Sequence, residues 1–131
     1  MYTMKQVCDE VGISYETLRF YYNEGLIPNV QRDKNNYRMF DEKNIAWIRS
    51  LQCLRKCGMS IQTMKEYLEL SMQGAKSVAK RKELLGIQKE ILEVKMRDIQ
   101  ESLDFVNNKQ AYFDSVLSGE VEYISKIFNV E

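Results

Sequence analysis

Three thiols, Cys8, Cys53 and Cys57, are the chain's strongest nucleophiles, and no histidine accompanies them anywhere in its 131 residues. That absence removes the commonest general base, the commonest metal ligand and the usual pH switch. A cysteine enzyme would lack its activating imidazole, and no glycine-rich phosphate loop is present. The chain therefore reads as no enzyme, and no metal or cofactor is expected. Thiol chemistry of another kind stays open at Cys53 and Cys57. They are four residues apart and share one helix face. Arg49 stands one turn before Cys53, with Arg55 and Lys56 close by, and positive surroundings favour thiolate. Cys57 falls at a helix C-terminus, where the dipole opposes thiolate. Cys8 belongs to the inward face of the first helix. Cys53 is the candidate sensing thiol.

A second group of side chains suits nucleic acid. Tyr15, Thr17, Arg19 and Tyr21 belong to a short helix, with Glu16 among them, and Arg32, Lys34, Tyr37 and Arg38 to a hairpin that follows it. A helix in the major groove presents its N-terminal side chains to base edges and phosphates. Arg19 can clamp guanine or a phosphate; Thr17 and Tyr21 can donate to phosphates, which positions a head without reading sequence. Leu18 and Phe20 are expected to turn inward, with Tyr21 or Tyr22 at the rim. Net charge is zero, but its distribution is uneven. Residues 28–60 hold seven Lys/Arg against three acids, and residues 61–131 hold ten against twelve. The basic surplus lies in the first half, beside the candidate contacts.

These residues need elements to hold them. Thr3 to Gln6 reads as a capping box, and Met4, Val7, Cys8 and Val11 form one apolar face. Gly12-Ile13-Ser14 then turns the chain into a second helix, about residues 15–22, capped by Ser14. Two short helices around a glycine-containing turn make a helix-turn-helix, about residues 4–23. Pro28 blocks continuation. Residues 29–40 are too polar for a helix, and Asn35-Asn36 can make a tight turn, so a β-hairpin wing is expected with arms at 30–32 and 37–40. Asp41 and Ser60 cap a third and a fourth helix.

Next comes the longest element. Val78, Leu85, Leu92, Ile99, Val106 and Phe113 recur every seven residues, with Met96 and Leu103 interleaved. A seam held this long argues a coiled coil about 50 Å in length, and a second copy is its simplest cover. Lys82, Lys89 and Gln110 are polar at the remaining core positions, so the seam alone does not fix partner orientation. Val121, Ile124, Ile127 and Phe128 give the end of the chain an amphipathic turn or two. The domains are thus 1–74 (head), 75–116 (coil) and 117–131 (short amphipathic segment). The N-terminus lacks a signal-peptide pattern and no run spans a membrane, so a cytoplasmic location is expected.

The run Thr17-Leu18-Arg19-Phe20-Tyr21-Tyr22-Asn23-Glu24-Gly25-Leu26-Ile27-Pro28 resembles the signature of the MerR family of bacterial transcription regulators. Arg32 with Tyr37-Arg38-Met39-Phe40 resembles that family's wing, and Leu54-Arg55 with Gly58-Met59-Ser60 its third and fourth helices. The resemblance implies a mainly α fold: a winged helix-turn-helix head followed by a long antiparallel coiled-coil dimerisation helix. It implies DNA contacts at Arg19, Tyr21, Arg32, Tyr37 and Arg38, a homodimer through residues 78–113, and action with RNA polymerase on promoter DNA whose overlong spacer the dimer distorts. Asn36 stands where the wing turn usually has Gly, and Phe40 where Tyr is usual. Residues 73–80 and 107–119 lack the Cys and His of metal-sensing members, and only a short stretch follows Phe113, unlike drug-sensing members. The stretch Trp47 through Arg55 resembles the aldehyde-responsive (AdhR- and NmlR-like) subgroup, whose sensing cysteine falls at Cys53. The rival reading, favoured by zero net charge, is a coiled-coil protein-interaction module that binds no DNA.

Overall fold

The computed structural model describes residues 1–125 and 127. The order is α1 (Met4–Val11), α2 (Tyr15–Asn23), β1 (Gln31–Arg32), β2 (Arg38–Met39), α3 (Glu42–Lys56), α4 (Ile61–Met72), a 3-10 turn (Gly74–Ser77) and α5 (Val78–Leu117). It divides into two units, Met1–Lys89 and Glu90–Glu131.

Local chemistry sets the starts of the helices in the first unit. Thr3 accepts from the Gln6 amide while the Gln6 side chain accepts from the Thr3 amide, and Asp41 with Asn44 repeats the arrangement on α3. These capping boxes satisfy amides that a helix start otherwise leaves orphaned. Gly12 ends α1 at φ 73°, a left-handed geometry that glycine adopts without a Cβ clash. Leu18, Leu26, Phe40, Ile48, Leu51, Met64 and Val7 are fully buried and join all four head helices to the hairpin. Each such side chain stabilises the fold by about 1.5–3 kcal/mol.

The wing is a two-stranded antiparallel sheet pairing Gln31 with Met39 and Arg32 with Arg38. Its strands are shorter than the arms expected from sequence, because Val30 and Tyr37 flank the ladder rather than join it. Asn36, not Asn35, takes the positive φ, 66°. An unanticipated bridge ties the wing to the N-terminus: Tyr2 and Phe40 exchange backbone hydrogen bonds of 2.7 and 2.8 Å.

Between α4 and α5 the buried Ser77 hydroxyl meets the Leu70 and Gly74 carbonyls and accepts from Arg81 Nε at 3.0 Å. Sequence periodicity gave no sign of this 3-10 joint. Farther along α5, the buried Gln88 donates through Nε2 to the Cys57 carbonyl at the end of α3, 2.7 Å away.

In the second unit, α5 runs to Leu117. Ile91, Leu92, Met96, Ile99, Leu103, Phe105, Val106 and Phe113 are exposed in the single chain. A turn at Ser118 follows, and Val121 to Ser125 carry no helix. Tyr112 Oη accepts from the Ile124 amide at 2.9 Å, which draws this segment onto the helix end. Phe128, expected as part of an amphipathic turn, lies outside the described residues.

Candidate nucleic-acid interface

Ser14 caps α2 by accepting from the Thr17 amide, and Leu18 and Tyr21 are its buried residues. Each helical residue turns by about 100°, so positions 18 and 21 share the inward face while 20 points away. This corrects one expectation: Phe20 does not turn inward and is 43% exposed. Of the two candidates for the rim, Tyr22 is half-buried and takes that place, while Tyr21 is 1% exposed, in the middle of the core. Helical spacing from Leu18 places Tyr21 there.

The Tyr21 hydroxyl nevertheless has no hydrogen-bond partner among the described residues. It lines a cleft with Ser14 and Thr17 at the start of α2 and with Gln52, Arg55 and Lys56 at the end of α3. A buried, unpaired hydroxyl is unfavourable by about 1–3 kcal/mol unless something fills its bond. Helix N-termini and arginine or lysine side chains both suit anions. Ring and hydroxyl of Tyr21 are both buried. Arg55 and Lys56 were missed as contacts because they stand far from the helix-turn-helix in sequence.

On the other flank of α2, a second cleft is lined by Lys5, Tyr15, Arg32, Tyr37 and Arg38. The wing tip is organised by Asp33, whose carboxylate accepts from the Asn35 and Tyr37 amides at 2.9 Å. Arg32 donates to the Asn36 carbonyl at 2.8 Å and to Tyr22 Oη at 3.2 Å. Arg38 stacks over the Tyr22 ring and reaches Met4 Sδ, while its Nε is buried without a partner. Both wing arginines are therefore engaged with the head. Lys34 and Tyr37 project freely, Tyr37 68% exposed. Arg19 is exposed on α2 and makes no hydrogen bond or ion pair among the described residues. Lys5 escaped the sequence reading because α1 was read only for its apolar face.

The candidate contacts thus fall into three places: the outer face of α2 (Tyr15, Glu16, Arg19 and Phe20), the wing side and the α3 side. Thr17 turns its hydroxyl to Ser14, 2.8 Å away. Burial would raise the Tyr22 pKa, but hydrogen bonds and charge from Arg38 and Arg32 outweigh it and hold the phenol below its usual 10.0.

Of the thiols, Cys53 is exposed and Cys57 and Cys8 are half-buried. Burial, aided by Asp9, pushes the Cys8 thiol up. Arg49, expected beside Cys53, turns instead to Glu10, whose carboxylate lies 3.7 Å from Nη2. No cluster of three metal-ligating side chains occurs among the described residues, and no helix there is long and apolar enough to cross a membrane.

Comparison with known proteins agrees with this geometry. The profile of the MerR HTH family regulatory proteins matches residues 2–71. An HTH-type transcriptional regulator of Haemophilus influenzae is 35% identical over 112 residues, 86% of this chain and 83% of its own. The regulator AdhR of Bacillus subtilis is 38% identical over 87 residues, 66% of this chain and 62% of its own. Among solved structures, HiNmlR, a MerR family regulator lacking the sensor domain and bound to promoter DNA, superposes with a TM-score of 0.74 at 33% identity, covering 89% of each chain. A MerR family regulator from Listeria monocytogenes gives 0.80 at 30% identity, covering 92% of this chain and 91% of its own. The resemblance to AdhR- and NmlR-like regulators is borne out.

Proposed function

This chain belongs to the MerR family of helix-turn-helix regulatory proteins, and we propose that it acts as a homodimer on promoter DNA in the bacterial cytoplasm. It is a DNA-binding transcription regulator. The rival reading as an interaction module without DNA gains no support from these relatives. Each head lays α2 in the major groove, and an inverted repeat presents two such grooves to the two heads. The dimer bends and untwists the promoter spacer so that RNA polymerase can engage both promoter elements. Such a bend costs on the order of 1–6 kcal/mol, and the effector acts by favouring the distorting state.

One observation carries the DNA interface: the outer face of α2 stands between two cationic clefts, Lys5 and Arg32 on the wing side and Arg55 and Lys56 on the α3 side. Cations on both sides of a helix that enters a major groove suit the phosphates flanking that groove. Arg19, Lys34 and Tyr37 extend the same surface, and Tyr15 and Thr17 mark the N-terminal end of the helix. Tyr21 contributes from the core, by fixing which face of α2 turns inward. Arg38 contributes chiefly by holding the wing.

For the dimer, the support lies in α5. Its first half, residues 78–97, carries six cations and three acids; residues 98–117 carry one cation and four acids. Antiparallel pairing sets the basic half against the partner's acidic half. Parallel pairing would face Lys82 and Lys89 with their own copies in the seam, which is repulsive.

The sensing step is placed at Cys53, which is exposed and stands on the helix that ends at the Arg55 and Lys56 cleft. A reactive aldehyde or an oxidant modifies the thiol and shifts the head between two states.

The test is selection of bound sequences from random duplex DNA by the purified protein, with footprinting of the winner at two salt concentrations. The expected result is an inverted repeat protected as two half-sites and weakened as salt rises. Enrichment of a single unrepeated site would sink the dimeric reading, and flat, weak binding the DNA reading altogether.

A further inference from the structure

We propose that Phe20 reads DNA sequence directly, packing its exposed ring against the C5-methyl groups of thymines in the major groove. The inference rests on the reading that α2 occupies that groove and names a residue for its specificity.

Leu18 and Tyr21 fix which side of α2 is buried. The side directly opposite holds Glu16 and Phe20, four residues and one turn apart. Tyr15 turns from that line toward the wing cleft, and Thr17 and Tyr21 toward the α3 cleft. Glu16 and Phe20 line neither cleft. If the two clefts take phosphates, the row between them faces the floor of the groove, where base edges lie.

Phe20 has no other employment. Its ring is 43% exposed, outside the core of the head, and it touches one aromatic, Tyr21, at 6.3 Å between centroids and a 51° tilt. Tyr21 is buried in the core beside it, and the helix backbone carries Phe20 on the opposite, outer side. An exposed phenyl has no hydrogen bond to offer a base. The feature of the groove floor that matches it is the thymine methyl, which distinguishes T from C, A and G by apolar contact. Glu16, one turn earlier, has the complementary chemistry: a carboxylate accepts from cytosine N4.

The experiment uses the full chain and its selected operator. Each thymine of one half-site is replaced in turn by deoxyuridine, which removes the methyl and leaves every hydrogen-bonding group. Affinity is measured for the unaltered protein, Phe20→Ala and Phe20→Leu. At one or two positions the unaltered protein should lose about threefold to fourfold, the affinity equivalent of one buried methyl. Phe20→Ala should bind the thymine and deoxyuridine duplexes alike at those positions, and Phe20→Leu should keep part of the discrimination. Because the methyl is removed from the DNA, a folding defect in a variant cannot imitate this result. Tight binding by the unaltered protein that ignores every deoxyuridine overturns the role of Phe20 and leaves the DNA reading standing. Discrimination that persists undiminished in Phe20→Ala overturns it as well, by assigning the methyl to another side chain. Failure to bind any duplex removes both.

Discussion

The Arg38 guanidinium lies 4.2 Å from the centre of the Tyr22 ring, and that stack fastens β2 of the wing to the last turn of α2. Tyr22 Oη adds a second tie by accepting from Arg32, which in turn holds the Asn36 carbonyl at the wing tip. The spacing between recognition helix and wing is thus set by one aromatic residue. A cation over an aromatic face contributes about 0.5–1 kcal/mol at an exposed site and more when desolvated. Tyr22→Leu should weaken operator binding by on the order of fivefold. It should also lower the slope of log affinity against log salt by about one contact's worth, as wing cations leave their phosphates. Neither tyrosine nor leucine brings a cation to the interface, so a lost slope reports displaced wing cations. Tyr22→Phe keeps the stack and should bind almost as the unaltered protein does. An unchanged slope in Tyr22→Leu would show that the wing holds its place without the stack.

Tyr22 and Tyr2 should titrate apart. The arginines hold Tyr22 below the usual 10.0, whereas a 2.6 Å hydrogen bond to the Glu42 carboxylate, and the charge of that carboxylate, raise Tyr2 above it. The signs follow. Ionised Tyr22 favours the folded state, so its contribution is present above the unfolded pKa and is lost as pH falls through the lowered folded value. Tyr2 behaves oppositely: its contribution is present below 10.0 and is lost as pH rises through the raised value. Phenolate absorbance during an alkaline titration should therefore begin early and end late. Tyr22→Phe should remove the early component and Tyr2→Phe the late one. An early component surviving in Tyr22→Phe would detach it from the arginine pair.

The three thiols should react in a fixed order. Cys53 is exposed, while Cys8 is half-buried and its thiol is held up by burial and Asp9. Brief alkylation near neutral pH, followed by peptide mass analysis, should label Cys53 first and Cys8 last. Cys53→Ala should leave operator affinity unchanged and abolish induction of a reporter by a reactive carbonyl. Normal induction in that variant would remove Cys53 from the sensing step.

Much of this arrangement was legible before the structure. Thr3, Ser14, Asp41 and Ser60 announce helix starts through side chains that bond their own backbone, a local matter. The heptad from Val78 to Phe113 announces α5 for a similar reason, since periodicity is local too. What escaped depends on contacts distant in sequence. The three-residue spacing of Tyr21 from Leu18 is a local signal that places Tyr21, and not Phe20, on the inward face. No comparable signal exists for Gln88, a polar residue of α5 outside the seam positions, which is buried with its Nε2 donating to the Cys57 carbonyl 31 positions earlier. Arg38 reads as one more basic wing residue until Tyr22 is seen beneath it. Arg49 reads as a neighbour of Cys53 until Glu10 claims it.

The apolar residues left exposed on α5 suit the proposed second copy, and the charges beside them suit an antiparallel one. Leu92, Met96, Ile99, Leu103 and Val106 form the uninterrupted apolar middle of the seam, with Ile99 62% exposed in the single chain. Lys82 and Lys89 lie to one side of that middle and Gln110 to the other. An antiparallel partner centred on the middle therefore buries the apolar block against itself and brings acids of the partner's second half near the lysines. Ile99→Glu places a charge in the centre of the block, twice per dimer, and burying an unpaired charge is strongly unfavourable. The variant should sediment as a monomer at concentrations where the unaltered protein is a dimer. Its operator affinity should fall at least tenfold, because two tethered heads bind far better than one. Orientation is read separately. With the native cysteines replaced, Val78→Cys should form no disulfide with its own copy, since antiparallel helices centred on Ile99 hold the two positions roughly 60 Å apart, whereas parallel helices would make them neighbours. Ready cross-linking of Val78→Cys would reverse the orientation, and a dimer that survives Ile99→Glu would move the interface off this seam.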